Sequence, residues 1–218
     1  MVLEIITNPD SAFRRRADEP GLLLPAGIVT VVAVLAVVGA YPVTELTKQI
    51  AASAIQDGGG GVDRGTASAI SAAAGTVGLI GAFVGVYVQW ALYAVAFYAI
   101  ARVAFDGSGS LSDTFAGTGW GFVPAIVGTA VSAAASLYVY SGVTLPEGAN
   151  AANQALARLQ SDPALLVASA FGLLVLLWSG YIWTIAMQHV HGLSRRNAAI
   201  VVGIPVLVGV LTRLPGLL

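Results

Sequence analysis

The chain has 218 residues, 57% of them hydrophobic and only 10% charged, where an average soluble domain carries about 25% charged residues. Its 10 Lys and Arg and 11 Asp and Glu cannot clothe a soluble globule of this length, and a mean hydropathy of +0.83 agrees, so the composition reads as an integral membrane protein and excludes a soluble enzyme or a disordered adaptor. A net charge of -1 gives no electrostatic reason to expect nucleic acid, and the absence of cysteine excludes disulfides, iron-sulfur clusters, thiolate zinc and cysteine nucleophiles.

Gaps between charges locate the spans, because a helix needs roughly 20 mainly apolar residues to cross about 30 Å of hydrocarbon. Residues 1–20 form an N-terminal segment with the basic cluster Arg14, Arg15 and Arg16. The first span covers about 22–43, with Pro25 in its first turn, where a missing N–H costs least. Glu45 to Gln56 places Leu46, Ile50 and Ala54 on one side and predicts a short amphipathic helix along the interface, ended by a flexible break at Gly58 to Gly61. The next uncharged stretch, Gly65 to Ala101, would measure about 55 Å as one helix. Its first part, Thr66 to Gly78, is small-residue sequence, so the span is placed at about 79–102 behind a helical lead-in.

The third span covers about 118–140, with Pro124 as a kink near its start and Tyr138 and Tyr140 at interface depth. Asn150 to Gln160 predicts a second amphipathic helix, with Leu156 and Leu159 on one side and Asn150 as N-cap. The fourth span, about 164–187, follows Pro163, and the fifth, about 198–214, has Pro205 at its middle as a kink. The expected fold is therefore all-α: a single polytopic membrane domain of five spans, with short amphipathic helices in the outer loops.

Cytoplasmic loops carry the excess of Lys and Arg. An N-terminus inside places Arg14, Arg15, Arg16, Arg102, Arg195 and Arg196 inside and Lys48, Arg64, Arg158 and Arg213 outside, so the expectation is a multi-pass cell-membrane protein with its C-terminus outside. A signal peptide is the competing reading of residues 1–40, but Asp18, Glu19 and Pro20 interrupt the approach to an apolar run longer than most such cores.

No Asp, Glu, Lys or Arg falls in the central part of a proposed span, which weighs against proton pumps, ion-coupled carriers and intramembrane aspartyl proteases. His189 and His191 are the only histidines; on a helix they point about 200 degrees apart, which breaks a chelate. They read as interfacial polar residues. Trp178-Ser179-Gly180 suggests a membrane-embedded serine hydrolase only loosely, since Leu177 stands where the usual turn has glycine. Gly117-Thr118-Gly119-Trp120-Gly121 has neither the preceding strand nor the downstream carboxylate of a dinucleotide loop. No catalytic residue, cofactor or metal is expected. The pairs Gly81-x-x-x-Gly85 and Gly117-x-x-x-Gly121 are read as helix-packing positions within the chain, with a homo-oligomer as the secondary reading.

Three segments carry a resemblance: Ile6-Thr7-Asn8-Pro9-Asp10-Ser11-Ala12-Phe13-Arg14 before the first span; Phe105 to Phe115, running on to Gly119-Trp120 and Pro124; and Val190-His191-Gly192-Leu193-Ser194-Arg195-Arg196-Asn197-Ala198. Together they resemble the prokaryotic branch of the YIP family, named in eukaryotes for interaction with Ypt/Rab GTPases. The resemblance implies five transmembrane helices, a cytoplasmic N-terminus and a non-enzymatic role in organising membranes. The chain lacks the long N-terminal region and the Asp-Leu-Tyr-Gly-Pro tract of the eukaryotic branch, so Rab binding is not carried over. Nine Arg to one Lys amid abundant Ala, Gly and Val point to a GC-rich prokaryotic genome, bacterial or archaeal.

The leading functional expectation is a membrane-organising or scaffolding protein. Its candidate contacts with anionic headgroups or another membrane protein are Arg14, Arg15, Arg16, His189, His191, Arg195 and Arg196. The alternative is a neutral-solute permease or channel subunit, which a continuous polar path lined by Gln89, Thr129 and Ser132 would favour over a dry Gly/Ala seam. A hydrolase centred on Ser179 would need a histidine at hydrogen-bonding distance.

Overall fold

The computed structural model describes residue 5 and residues 7–15, 21–57 and 63–214. Arg16 and the expected break at Gly58 to Gly61 lie outside the described residues. Every regular element among the described residues is helical: α1 (Pro9–Arg14), α2 (Leu23–Asp57), α3 (Arg64–Phe105), α4 (Leu111–Trp120), α5 (Val123–Tyr140), α6 (Ala149–Gln160), α7 (Pro163–His191) and α8 (Arg195–Leu211). A helix pairs its interior backbone N–H and C=O groups within its own segment, as hydrocarbon surroundings demand. Four of these, α2, α3, α5 and α7, are long and apolar enough to cross a membrane; α8 has 17 residues.

Contacts close a ring, α2 to α3 to α8 to α7 to α5 and back to α2, with α4 wedged against α2, α3 and α7 at one end. The end holding α1 and α4 is called the α1 end below, and the opposite one the α6 end. A buried aromatic group lies inside the ring: Trp183 packs on Tyr93 (4.7 Å between centroids), Phe97 (5.5 Å) and Phe122 (5.8 Å). Hydrogen bonds stitch the ring, Thr30 to Tyr87 between α2 and α3 (2.6 Å) and Ser136 Oγ donating to the Gly39 carbonyl between α5 and α2 (2.6 Å).

The structure departs from the sequence expectation at three places. The amphipathic stretch Glu45 to Gln56 is not a separate interfacial helix: α2 runs through Pro42 to Asp57, about 52 Å in all. Packing carries the helix past the proline. Leu46 is buried against Val139 and Tyr140 at the α6 end, and the Lys48 stem crosses Gly75 of α3, where an added Cβ would lie 3.1 Å from Lys48 Cδ. The small-residue lead-in of α3 is thus the partner surface of the α2 extension, and α3 is unbroken over 42 residues.

The third expected span begins later and is broken. α4 ends at Trp120, Gly121 and Phe122 close it with N–H donations to Thr118 and Gly119 (3.1 Å each), and α5 restarts with Pro124 in its first turn. Proline offers no N–H to the carbonyl four residues back, so the stop falls before it. Finally, the N-cap of α6 is Gly148 (φ 89°) rather than Asn150, which lies inside the helix; Leu156 and Leu159 do pack together, under Leu46, Val139 and Tyr140. Pro205 lies within α8, which continues across it.

Candidate functional site

The α1 end is built from the three segments quoted above. Asn8 caps α1, accepting from the Ser11 N–H, and Pro9 sits in the first turn. Phe13, buried on the underside of α1, stacks on His189 with 6.5 Å between ring centroids. The His189 ring also meets Asp10, 2.9 Å from Nε2, and Asp10 pairs with Arg14. α1 is therefore clamped on the last turn of α7 by one ring contact and one polar pair.

His191, one turn's half further, faces elsewhere, as the geometry of an i, i+2 pair requires. It is 2% exposed, and its Nε2 lies 2.9 Å from the Thr114 hydroxyl of α4. The α3–α4 loop covers it. Asp106 takes a left-handed conformation (φ 51°), the Gly107 N–H returns to Ala101 (2.9 Å), Arg102 donates to the Gly107 carbonyl (2.8 Å), and the Ser108 N–H donates to the His191 carbonyl (3.2 Å). Gly107 is needed for this approach, since an added Cβ would stand 2.9 Å from His191 Nδ1. Ser110 and Asp113 form a capping box that fixes the start of α4.

Two tryptophans then anchor the far end of α4. Trp90 Nε1 donates to the Phe115 carbonyl (3.0 Å) and Trp183 Nε1 to the Thr118 carbonyl (2.7 Å). A carbonyl has two lone pairs and can take an indole N–H beside its helix bond, and a buried indole N–H needs an acceptor that apolar surroundings do not supply. Gly117, Gly119 and Gly121 make room: an added Cβ on Gly117 would touch Val190, Ala186 and Met187 at 3.3 to 3.4 Å, one on Gly119 would come 2.6 Å from Pro25, and one on Gly121 would run into the Trp183 indole. Gly81 and Gly85 are not packing positions within the chain, because an added Cβ at either meets nothing within 4 Å.

Of the candidate contact residues, Arg14, Arg15, Arg195 and Arg196 are exposed at this end, whereas His189 and His191 are engaged in holding it together. Sequence reasoning did not single out Asp10, Phe13, Thr114 or Trp183. The one legible signal was the quoted segments themselves, whose small and polar residues turn out to be loop, cap and clamp.

Ser179 belongs to a different place. It lines a cleft of about 500 Å³ inside the ring, together with Gln89, Thr129 and Ser132, the polar residues named for the transport reading. The cleft runs from Thr212 and Arg213 at its rim to Phe122 and Trp183, and α7 continues beyond this floor as the buried residues Ile185, Ala186 and Met187. No histidine lines it: His189 lies ten residues along α7 from Ser179, about 15 Å at the helical rise, and is held by Asp10.

The Yip1 domain family model matches residues 3–212, both ends of the clamped assembly and every helix of the ring. The chain belongs to the Yip1 domain family. Among curated proteins, it is 29% identical over 139 residues to "Uncharacterized protein MJ0794" of Methanocaldococcus jannaschii, an alignment covering 63% of this chain and 89% of that one. No solved structure matches the chain. Family and composition together make this a multi-pass membrane protein, and the family is not known as enzymatic.

Proposed function

We propose that this Yip1-family chain is a non-enzymatic, five-span component of the cell membrane that organises the bilayer or scaffolds another membrane protein through its α1 end. The observation that carries the reading is the clamp. A six-residue helix has no stability of its own, yet α1 is held on α7 by Phe13 and Asp10 while Arg14 and Arg15, like Arg195 and Arg196, stay exposed. Such a set is pre-organised for anionic headgroups or an acidic protein face. Counting α8 as the fifth span is supported by its length, about 26 Å at the helical rise, and by Arg195, Arg196 and Arg213 at its two ends, where long cationic side chains reach the interface.

Two experiments test this. Affinity purification from the native membrane, beside an Arg14/Arg15/Arg16→Ala variant, is expected to lose a partner protein or an anionic lipid in the variant; identical co-eluting sets would overturn the scaffold reading. For topology, the cysteine-free chain suits single-cysteine labelling. Five spans with a cytoplasmic N-terminus expect Ser112→Cys protected in intact cells, with Ser161→Cys and Thr212→Cys both labelled. Labelling of position 212 only together with 112 would leave four spans.

A further inference from the structure

The cleft inside the ring carries chemistry that the scaffold reading does not use. Its walls are mainly aliphatic, with Val32, Ala36 and Val86 on one side and Val175 and Leu176 on the other, and no carboxylate lines it. Into these walls project the hydroxyls of Thr129, Ser132, Ser169 and Ser179.

Hydroxyls in apolar helices usually return to a carbonyl of their own helix. Thr30 does so to Ala26 (2.8 Å), Ser71 to Ala67 (2.9 Å), and Thr184, one turn beyond the cleft on α7, to Gly180 (2.8 Å). The four cleft hydroxyls make no hydrogen bond with any described residue. Ser179 is the decisive one, since it is only 3% exposed and what remains accessible of it faces the cleft. Leaving a hydroxyl unpaired in apolar surroundings is costly, so the cleft calls for an occupant with hydrogen-bonding groups. At the rim stands Arg213, exposed and with no acidic partner among the described residues.

We infer that the cleft binds the phosphate-bearing headgroup of an anionic phospholipid. The phosphate sits on the Arg213 guanidinium, which matches its geometry in a bidentate fork. The headgroup and glycerol oxygens take the hydroxyls of Thr129, Ser132, Ser169 and Ser179, and the first carbons of the chains lie along the aliphatic wall. The volume fits a headgroup, being within the 300–1,000 Å³ range of small-molecule sites. A soluble phosphate would satisfy Arg213 but leave that wall without a complement. An amphiphile satisfies both.

The test uses the full chain, purified in mild detergent, stripped of lipid and titrated with dioctanoyl phosphatidylglycerol in native mass spectrometry. One saturable adduct per chain is expected. Dioctanoylglycerol, which lacks the phosphate, should give none, and inorganic phosphate or glycerol 3-phosphate at equal concentration should not displace the lipid. Arg213→Gln, at an exposed position, should weaken binding about tenfold, the usual cost of one charge-assisted hydrogen-bonded contact. Gly172→Leu should abolish it by filling the cleft, since an added Cβ at Gly172 meets nothing within 4 Å and the fold has no reason to move. Wild-type binding by both variants, or binding of dioctanoylglycerol as tight as that of the phospholipid, would overturn the site. Displacement by glycerol 3-phosphate at equal concentration would overturn the lipid as its ligand.

Discussion

Gly121→Ala is the sharpest test of how the α4–α5 break is held. The backbone at Gly121 is ordinary for any L-residue, φ -69° and ψ -8°, so conformational freedom is not why glycine stands there. On helix propensity alone, alanine would gain about 1 kcal/mol. The structure says the opposite, because the new Cβ would overlap Nε1, Cδ1 and Cε2 of Trp183. That indole cannot step aside. Nε1 donates to the Thr118 carbonyl at 2.7 Å, and Tyr93, Phe97 and Phe122 flank the ring. Overpacking a rigid site costs about 1–3 kcal/mol, so once the propensity gain is taken off the net expectation is a destabilisation of up to about 2 kcal/mol. Trp183→Leu alone loses the hydrogen bond and much of the ring contact, about 3 kcal/mol. In the double variant the alanine methyl enters vacated space, so the two costs should fall short of their sum by about 1–2 kcal/mol. Denaturant titration in micelles, followed by helical circular dichroism, measures all four proteins. Simple additivity, or a Gly121→Ala protein more stable than wild type, would show that Trp183 does not set the break.

Three further outcomes follow from the same geometry. Gly81→Ala and Gly85→Ala meet open space, so each should be neutral or stabilising by up to about 1 kcal/mol; a loss of stability that depends on protein concentration would instead place these glycines at a contact between copies. Thr114→Val keeps shape but takes the hydroxyl from His191, whose Nδ1 already lacks a partner among the described residues, and should cost about 1–3 kcal/mol in the same titration; a change under about 0.5 kcal/mol would mean the ring is held by packing alone. Phe13→Ala should release α1, because the half-exposed Asp10–His189 pair contributes at most about 1 kcal/mol and cannot order six residues at about 1 kcal/mol each. Trypsin should then cut at Arg14 and Arg15 at least ten times faster, on the conversion of about 1.4 kcal/mol to tenfold, while Asp10→Asn changes the rate little.

The helical class and the long apolar elements were legible because a bilayer admits few architectures and the charges mark where each run ends. What the sequence hides is direction. Gly81-x-x-x-Gly85 and Gly117-x-x-x-Gly121 have the same spacing, yet the second pair receives Trp183 and Met187 while the first faces nothing, and only the rotation of each helix distinguishes them. The run of α2 past Pro42 is hidden for a related reason. A proline costs a helix hydrogen bond, and the compensation comes from Leu46 under Tyr140 and Lys48 over Gly75, contacts made by residues distant in sequence. At the α1 end the opposing directions of the two histidines could be read from their spacing, but not their partners, Asp10 and Thr114, which lie 179 and 77 residues away. Gln89, Thr129 and Ser132 were visible as polar residues in apolar runs. That they share one cleft depends on the closure of the ring.

The two polar regions of the molecule differ in what they leave unsatisfied, and this bears on which of them changes state. At the α1 end, loop N–H groups, caps and the Thr114 hydroxyl are matched within the chain, and His191 Nδ1 alone is buried without a partner among the described residues. A site so matched gains little from rearranging, so its exposed arginines present a fixed surface. In the cleft four hydroxyls without a hydrogen bond to any described residue, and a guanidinium without an acidic partner among the described residues, stand among aliphatic walls from α2, α3 and α7. An occupant there bridges helices that otherwise meet mainly through van der Waals contacts, and its binding energy stabilises the ring by the logarithm of its concentration over its dissociation constant. Lipid at a hundredfold excess over that constant would add about 2.7 kcal/mol, more than the Asp10–His189 pair contributes at the other end. Added phosphatidylglycerol should therefore raise the denaturation midpoint of the wild type and leave that of Gly172→Leu where it was.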